Sequence, residues 1–318
     1  MKSLSTLFHT AVTLLTGLML LTGCGGGGGD ATSEAAPVVT ADTGIMSLAI
    51  TDQPTCGYDN VFITVEKVRV HQSGSAGDAD SGWHEVVLNP ARRIDLLDLT
   101  NGVLEELGQT ALPAGTYTQM RLVLVSNDTV PMTNAVVLTG SGNEVGLKTP
   151  SAQQSGLKMN VNLTVQPGKV ADFVLDFDAC KSVVKAGNSG KYLLKPVVSV
   201  IPVLSKAGQR IVGYLDILSI TPYVGIATPT LVSAQKDGTV VKATIPDASG
   251  KFVLYPVPPG VYDLVITSAG RATAVMTGVP VVNSAYTHVG SESVRIALEE
   301  SLTKDAMGVV SVNANPVD

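Results

Sequence analysis

The chain is 318 residues long, a length that suggests about two domains. Hydrophobic residues at 45% against 15% charged suffice for buried cores, and 32 glycines with 17 prolines exclude a collagenous or low-complexity chain. A net charge of −6 excludes the basic footprint of a nucleic-acid binder, so no nucleic-acid partner is expected.

At the N-terminus, Lys2 gives a short basic region and Ala11–Leu21 an apolar run, too short to span a bilayer. Leu21-Thr22-Gly23-Cys24 follows and resembles the bacterial lipobox, in which small residues precede a cysteine that takes lipid and becomes the new N-terminus. The expected layout is a signal peptide over residues 1–23, then lipidated Cys24 and a tether over 24–44. Gly25–Gly29 and the Ala, Thr, Pro and Ser behind them form a flexible linker. Some twenty residues of it reach roughly 25 Å, which lifts a folded body clear of headgroups. Two or three acyl chains hold such an anchor, since a single chain binds only marginally. Gly25 rather than aspartate after the cysteine points to the outer membrane, its face left open.

Beyond the tether, period-two alternation dominates. Leu157, Met159, Val161, Leu163 and Val165 alternate with polar residues, as do Tyr262, Leu264 and Ile266. Phe173, Leu175 and Phe177 alternate with Asp172, Val174 and Asp176. This is the pattern of half-buried antiparallel strands, and it predicts an all-β chain of two antiparallel β-sandwiches. One short helix is expected at Asn101–Leu107, capped by Thr100 and stopped by Gly108. Pro196 and Pro202 interrupt the apolar stretch Tyr192–Leu204 and suit a bend or an edge. A boundary falls near Ser205–Arg210, giving domains at 45–204 and 210–298 and a fraying tail at 299–318. Leu112-Pro113-Ala114-Gly115-Thr116-Tyr117 is echoed by Val257-Pro258-Pro259-Gly260-Val261-Tyr262, where proline and glycine set a turn before a tyrosine-led strand.

Of three cysteines, Cys24 takes lipid, and Cys56 with Cys180 are expected as a disulfide in an oxidising compartment. Closing so long a loop contributes roughly 5 kcal/mol in the entropy model. No histidine lies within ten residues of either cysteine, which disfavours a metal site there.

Residues 45–204 resemble the bacterial lipoprotein family known as domain of unknown function 4382. The stretches that carry this are Ser47–Asp52, Val61–His71, Ile94-Asp95-Leu96-Leu97, Leu112–Leu124, Ser155-Gly156-Leu157-Lys158, Leu175–Ala179, Lys181–Val184 and Tyr192–Val200. The resemblance implies architecture and location, not a reaction. Residues 210–298 resemble a carboxypeptidase-regulatory or transthyretin-like sandwich through Asp247, Gly250, Phe252, Leu254, Pro258, Pro259, Gly260 and Tyr262. The entry Gly213-Tyr214-Leu215 departs from that family's Gly-Thr-Val. Some relatives of this fold bind glycans, an analogy at the level of fold.

Signals for chemistry are sparse. His71 and His84 read as solvated strand ends, and with His288 they stand outside any His-Glu-x-x-His motif. Ser155…Lys158 and Ser182…Lys185 have a Ser-x-x-Lys spacing, but in strand or turn pattern this offset sends the side chains to opposite faces. Asp172, Asp176 and Asp178 on one strand face are candidate calcium ligands, weighed against a solvated face, the favoured reading. Asp78, Asp80 and Gly82 faintly resemble a calcium loop within a mobile hairpin, Gly74–Gly82. Trp83, Tyr223 and Tyr255 are candidate ligand contacts. The expectation is an outer-membrane lipoprotein held through Cys24, acting without catalysis or cofactor as a binding or structural envelope module. Its partner would be an envelope protein or a glycan; a carbohydrate-binding module is the alternative and a cryptic hydrolase the third reading.

Overall fold

The computed structural model describes residues 42–53, 57–128, 132–149, 155–221 and 229–301. The first sandwich holds β1 (Thr43–Asp52), β2 (Tyr58–His71), β3 (His84–Asp95), β4 (Glu105–Pro113), β5 (Gly115–Leu124), β6 (Ala135–Leu138), β7 (Glu144–Lys148), β8 (Leu157–Val165), β9 (Val170–Phe177), α1 (Ala179–Ser182), β10 (Val183–Lys185), β11 (Tyr192–Leu194) and β12 (Val198–Val203). The second holds β13 (Ile211–Tyr214), α2 (Ile217–Ile220), β14 (Leu231–Lys236), β15 (Thr239–Thr244), β16 (Lys251–Leu254), β17 (Gly260–Thr267), β18 (Ala274–Val281) and β19 (Thr287–Val289). Both fall in one compact unit. Among the described residues no helix is long and apolar enough to cross a membrane.

In the first sandwich a sheet ordered β12-β9-β1-β4 faces one ordered β10-β11-β7-β6-β2-β5-β8, with β3 beside β2. Strand pleating sends Met46, Leu48 and Ile50 of β1 and Phe173, Leu175 and Phe177 of β9 into the shared core, with Tyr117, Met120 and Leu122 of β5. The sheets are largely antiparallel as expected, with parallel pairs at β1–β9, β7–β11 and, in the second sandwich, β13–β19. Pro196 falls between β11 and β12, where the chain leaves one sheet for the other, and Pro202 sits in the edge strand β12. The prolines therefore stand at a bend and an edge, where a missing N–H breaks no internal ladder.

The second sandwich packs β16-β13-β19 against β15-β14-β17-β18 around Phe252, Leu254, Tyr262, Leu264 and Ile266. Gly213 makes this packing possible, because a Cβ there would lie 2.2 Å from the Phe252 ring. Asp247 Oδ1 accepts from the Ser249 and Lys251 N–H groups, and Gly250 takes φ +83° to close the turn into β16. Glu299 and Ser301 hydrogen-bond to Ala272 and Gly270, so the first residues of the expected tail are tied to the body.

The helix expected at Asn101–Leu107 does not form. Asn101 and Gly102 take positive φ and the chain enters β4, whose Leu107 joins the core. Tertiary contacts override the weak helical signal. Thr51 Oγ1 donates to the carbonyls of Leu99 and Val103, both at 2.9 Å, and so holds the turn out from the sheet. Asn101 then meets the second sandwich: its N–H donates to Thr244 Oγ1 and its Oδ1 accepts from Val253 N–H at 2.6 Å.

Candidate functional site

The outward face of β1 and β9 is where the sandwiches meet. Val174 and Asp176 project from β9 opposite the core residues, yet both are buried. Asp176 receives Lys242 of β15, with Nζ 2.5 Å from Oδ1 and both side chains at most 2% exposed. Lys242 Nζ also lies 3.4 Å from the main-chain oxygen of Asp52. The Asp52 carboxyl is buried too, with Oδ1 accepting from Ala179 N–H at 2.9 Å. The second carboxyl oxygens of Asp52 and Asp176 are buried without a hydrogen-bond partner. Burial pushes the Asp52 carboxyl well above the usual carboxylate range, against the Ala179 N–H and Lys242. It raises Asp176 as well, against the pull of Lys242.

These contacts correct the solvated aspartate face. Asp176 is sealed because the second sandwich covers the sheet. Asp178 lies beyond the end of β9, caps α1 by accepting from Lys181 N–H, and pairs with Lys181 Nζ at 2.7 Å. Asp172 is half-buried beside a cleft of about 120 Å³ that Ser47, Val174 and Tyr255 also line. The three do not share one exposed face, and among the described residues no three His, Cys, Asp or Glu side chains form a metal-holding group.

Sequence reasoning missed Lys242, since a lysine in a short strand ordinarily reads as solvent-facing. It also missed Gln209, which the boundary at Ser205–Arg210 brackets. Gln209 Oε1 accepts from Leu204 N–H, its Nε2 donates to Pro202, and its backbone bonds to Val282 and Val257. The linker is thereby clamped at both ends.

The second cluster surrounds Trp83. The ring is half-buried, with the guanidinium carbons of Arg69 and Arg121 at 4.5 and 4.7 Å from its centre, and Nε1 donates to the Gly77 carbonyl. Arg121 is buried and donates to the carbonyls of Ala76 and Ser155 and to the Asp78 carboxylate. Asp80 accepts from Gly77 N–H. The loop expected to be mobile is held from within by these bonds, and Asp78 and Asp80 serve its turns. His71 is likewise not merely solvated: Nδ1 accepts from Ser73 N–H, leaving Nε2 to donate to the Ser81 carbonyl. His84 stands edge-on to Tyr117 at 6.1 Å, and burial lowers its pKa, helped by His71.

Tyr255 is not an open ligand contact. It is 5% exposed, with the Arg210 guanidinium carbon 4.2 Å from its ring centre. Cys180 lies in α1, while Cys24, Cys56 and Tyr223 are outside the described residues. The Ser182 hydroxyl of one Ser-x-x-Lys spacing accepts from Val197 N–H.

Residues 43–196 match the family described as Domain of unknown function (DUF4382). That segment, nearly half of the chain, overlaps most of residues 45–204, for which the sequence carried the resemblance. No curated protein matches. Among solved structures, the chain is similar to a type II cohesin–X-dockerin complex from Acetivibrio cellulolyticus, at 24% identity over 29% of this chain and 57% of that one, with a TM-score of 0.22. It is also similar to the Bacillus anthracis TIE protein, at 11% identity over 81% of this chain and 34% of that one (TM-score 0.20). A fimbrial protein from Bacteroides ovatus gives 11% identity over 83% and 51%, with a TM-score of 0.20. The chain thus spans from about a third to under two thirds of these structures' lengths. Likenesses so distant bear on neither ligand nor partner.

Proposed function

We propose that this chain is a lipid-anchored outer-membrane protein whose paired sandwiches act without catalysis, as a binding or structural module of the cell envelope. The observation that carries the reading is how the ionisable groups of the body are used. Asp178, Arg121 and His71 are each engaged in capping a helix or holding a loop of the protein itself. The anchor rests on Leu21-Thr22-Gly23-Cys24 and the glycine-rich tether behind it. Metabolic labelling with a palmitate analogue tests it: the wild type takes label and fractionates with outer membranes, and Cys24→Ser loses the label and accumulates as precursor. Label persisting in Cys24→Ser would remove the anchor.

The reading includes a second sandwich of the carboxypeptidase-regulatory or transthyretin-like kind, supported by the Asp247 turn, Gly250 and the buried Phe252 and Tyr262. It also includes a Cys56–Cys180 disulfide. Support for the bond is the even pair that Cys56 and Cys180 make once Cys24 takes lipid, in a chain read as exported to an oxidising compartment. Non-reducing peptide mapping of envelope-purified protein is expected to recover the linked pair.

One observation favours a glycan-binding alternative. Tyr286 is 42% exposed, and its ring lies 6.4 Å from that of His288, beside Arg210. Calorimetric titration of the full chain with starch, chitin and peptidoglycan fragments decides: micromolar binding lost in Tyr286→Ala would put this alternative first.

A further inference from the structure

The contact between Lys242 and Asp176 has the components of a bond-forming reaction. A primary amine and a carboxyl group lie 2.5 Å apart, and both side chains are sealed from solvent. Burying two opposite charges is costly even when they pair. Proton transfer within the pair gives a neutral amine and a neutral carboxylic acid, the forms that condense. Water, which would reverse the condensation and compete for both groups, is excluded by the covering sandwich. Strand β9 holds the carboxyl from one side and β15 the amine from the other, so both partners are oriented in advance.

We propose that Lys242 and Asp176 condense to an intramolecular amide that joins the two sandwiches covalently. The Lys242 nitrogen lone pair attacks Asp176 Cγ, and the new N–C bond forms as the carbonyl π pair moves to oxygen. The tetrahedral centre collapses with cleavage of the C–O bond to the hydroxyl. One nitrogen proton leaves with that hydroxyl as water. No oxidant, reductant or co-reactant enters the balance.

Asp52 is the group placed to relay the proton. Its main-chain oxygen touches Lys242 Nζ, and its buried carboxyl keeps one oxygen without a partner. The charges of Lys242 and Asp176 both act on that carboxyl. Desolvation favours its neutral form, which can donate to the developing oxyanion and then recover the nitrogen proton.

The link differs from an ion pair in a way peptide mapping reads directly. Full-length protein is reduced, alkylated and digested with trypsin. An unlinked chain releases residues 170–181 as one peptide and is cut after Lys242. A linked chain instead yields a branched product of residues 170–181 and 237–251, uncut at Lys242 and lighter than the two together by one water molecule. We expect that product in the wild type. Asp176→Asn is expected to give the identical branched product, because its condensation releases ammonia instead. Lys242→Arg is expected to give none. Asp52→Asn keeps an acceptor for Ala179 N–H and is expected to leave most chains unlinked with unchanged circular dichroism. Complete cleavage after Lys242 in the wild type, with residues 170–181 recovered free, would overturn the proposal and leave a buried ion pair. The outcome does not depend on the anchor at Cys24.

Discussion

Two tyrosines show how much one side chain fixes. Tyr117 donates to the Pro113 carbonyl at 2.9 Å, and Tyr262 donates to the Pro258 carbonyl at 2.7 Å. Each bond closes a corner over four residues and satisfies a carbonyl that the turn leaves unpaired, the tyrosine-corner arrangement of β-sandwiches. The sequence echo that joins these segments therefore reflects one local solution used in both sandwiches. Tyr117→Phe and Tyr262→Phe each leave a carbonyl without its partner, and each is expected to cost about 1 kcal/mol in urea denaturation. His84 lies against Tyr117 and contributes through its charge. Its folded pKa is lowered from 6.5, chiefly by burial, so the unfolded chain takes up the proton first. The stability this group contributes is present above pH 6.5 and is lost as pH falls through its lowered folded value. His84→Gln is expected to flatten the stability-versus-pH curve in that window, as measured by urea midpoints at successive pH values.

At the scale of elements, alternation was a sound guide wherever one face met the core and the other met solvent. The stretch from Leu157 to Val165 became β8 with buried and exposed residues in register, and the tyrosine-led stretch became β17. Alternation gave a false picture of β9, because a polar residue signals water only if nothing else covers the sheet. Asp176 is polar for the sake of Lys242, a residue far along the chain, and no local pattern carries that information. The turn at Asn101 escaped for the same reason: its conformation is set by Thr51, Thr244 and Val253. The Gly74–Gly82 loop has glycine and serine content typical of mobility, yet Arg121 arrives from β5 to satisfy it. Arg121→Met is expected to leave the Ala76 and Ser155 carbonyls and Asp78 without that donor. A loss of about 1–3 kcal/mol should follow. Hydrogen exchange should rise across residues 74–82 while β2 and β5 keep their protection.

At the scale of the molecule, the surface between the sandwiches decides whether they behave as one body. Its contacts differ in kind: the sealed Lys242–Asp176 contact, hydrogen bonds at Asn101, the Gln209 clamp on the linker, and the buried Val174. An exposed linker alone would let the two units move and melt independently. Here the surface they share is buried, and opening it would expose Lys242 and Asp176 together. A single cooperative calorimetric transition is therefore expected for the wild type. Val174→Asp in a Lys242→Arg chain, which cannot form the amide, tests the cause, since it adds a second carboxylate beside Asp176 where the one cation already serves the first. An unpaired charge there costs several kcal/mol as long as the surface stays closed. The sandwiches can avoid that cost only by separating, so the transition should split in two. The conservative Val174→Ile should retain one transition. If Val174→Asp instead melted in one step at lower temperature, the damage would lie within the first sandwich, and cooperativity would have to be carried by Asn101 and Gln209.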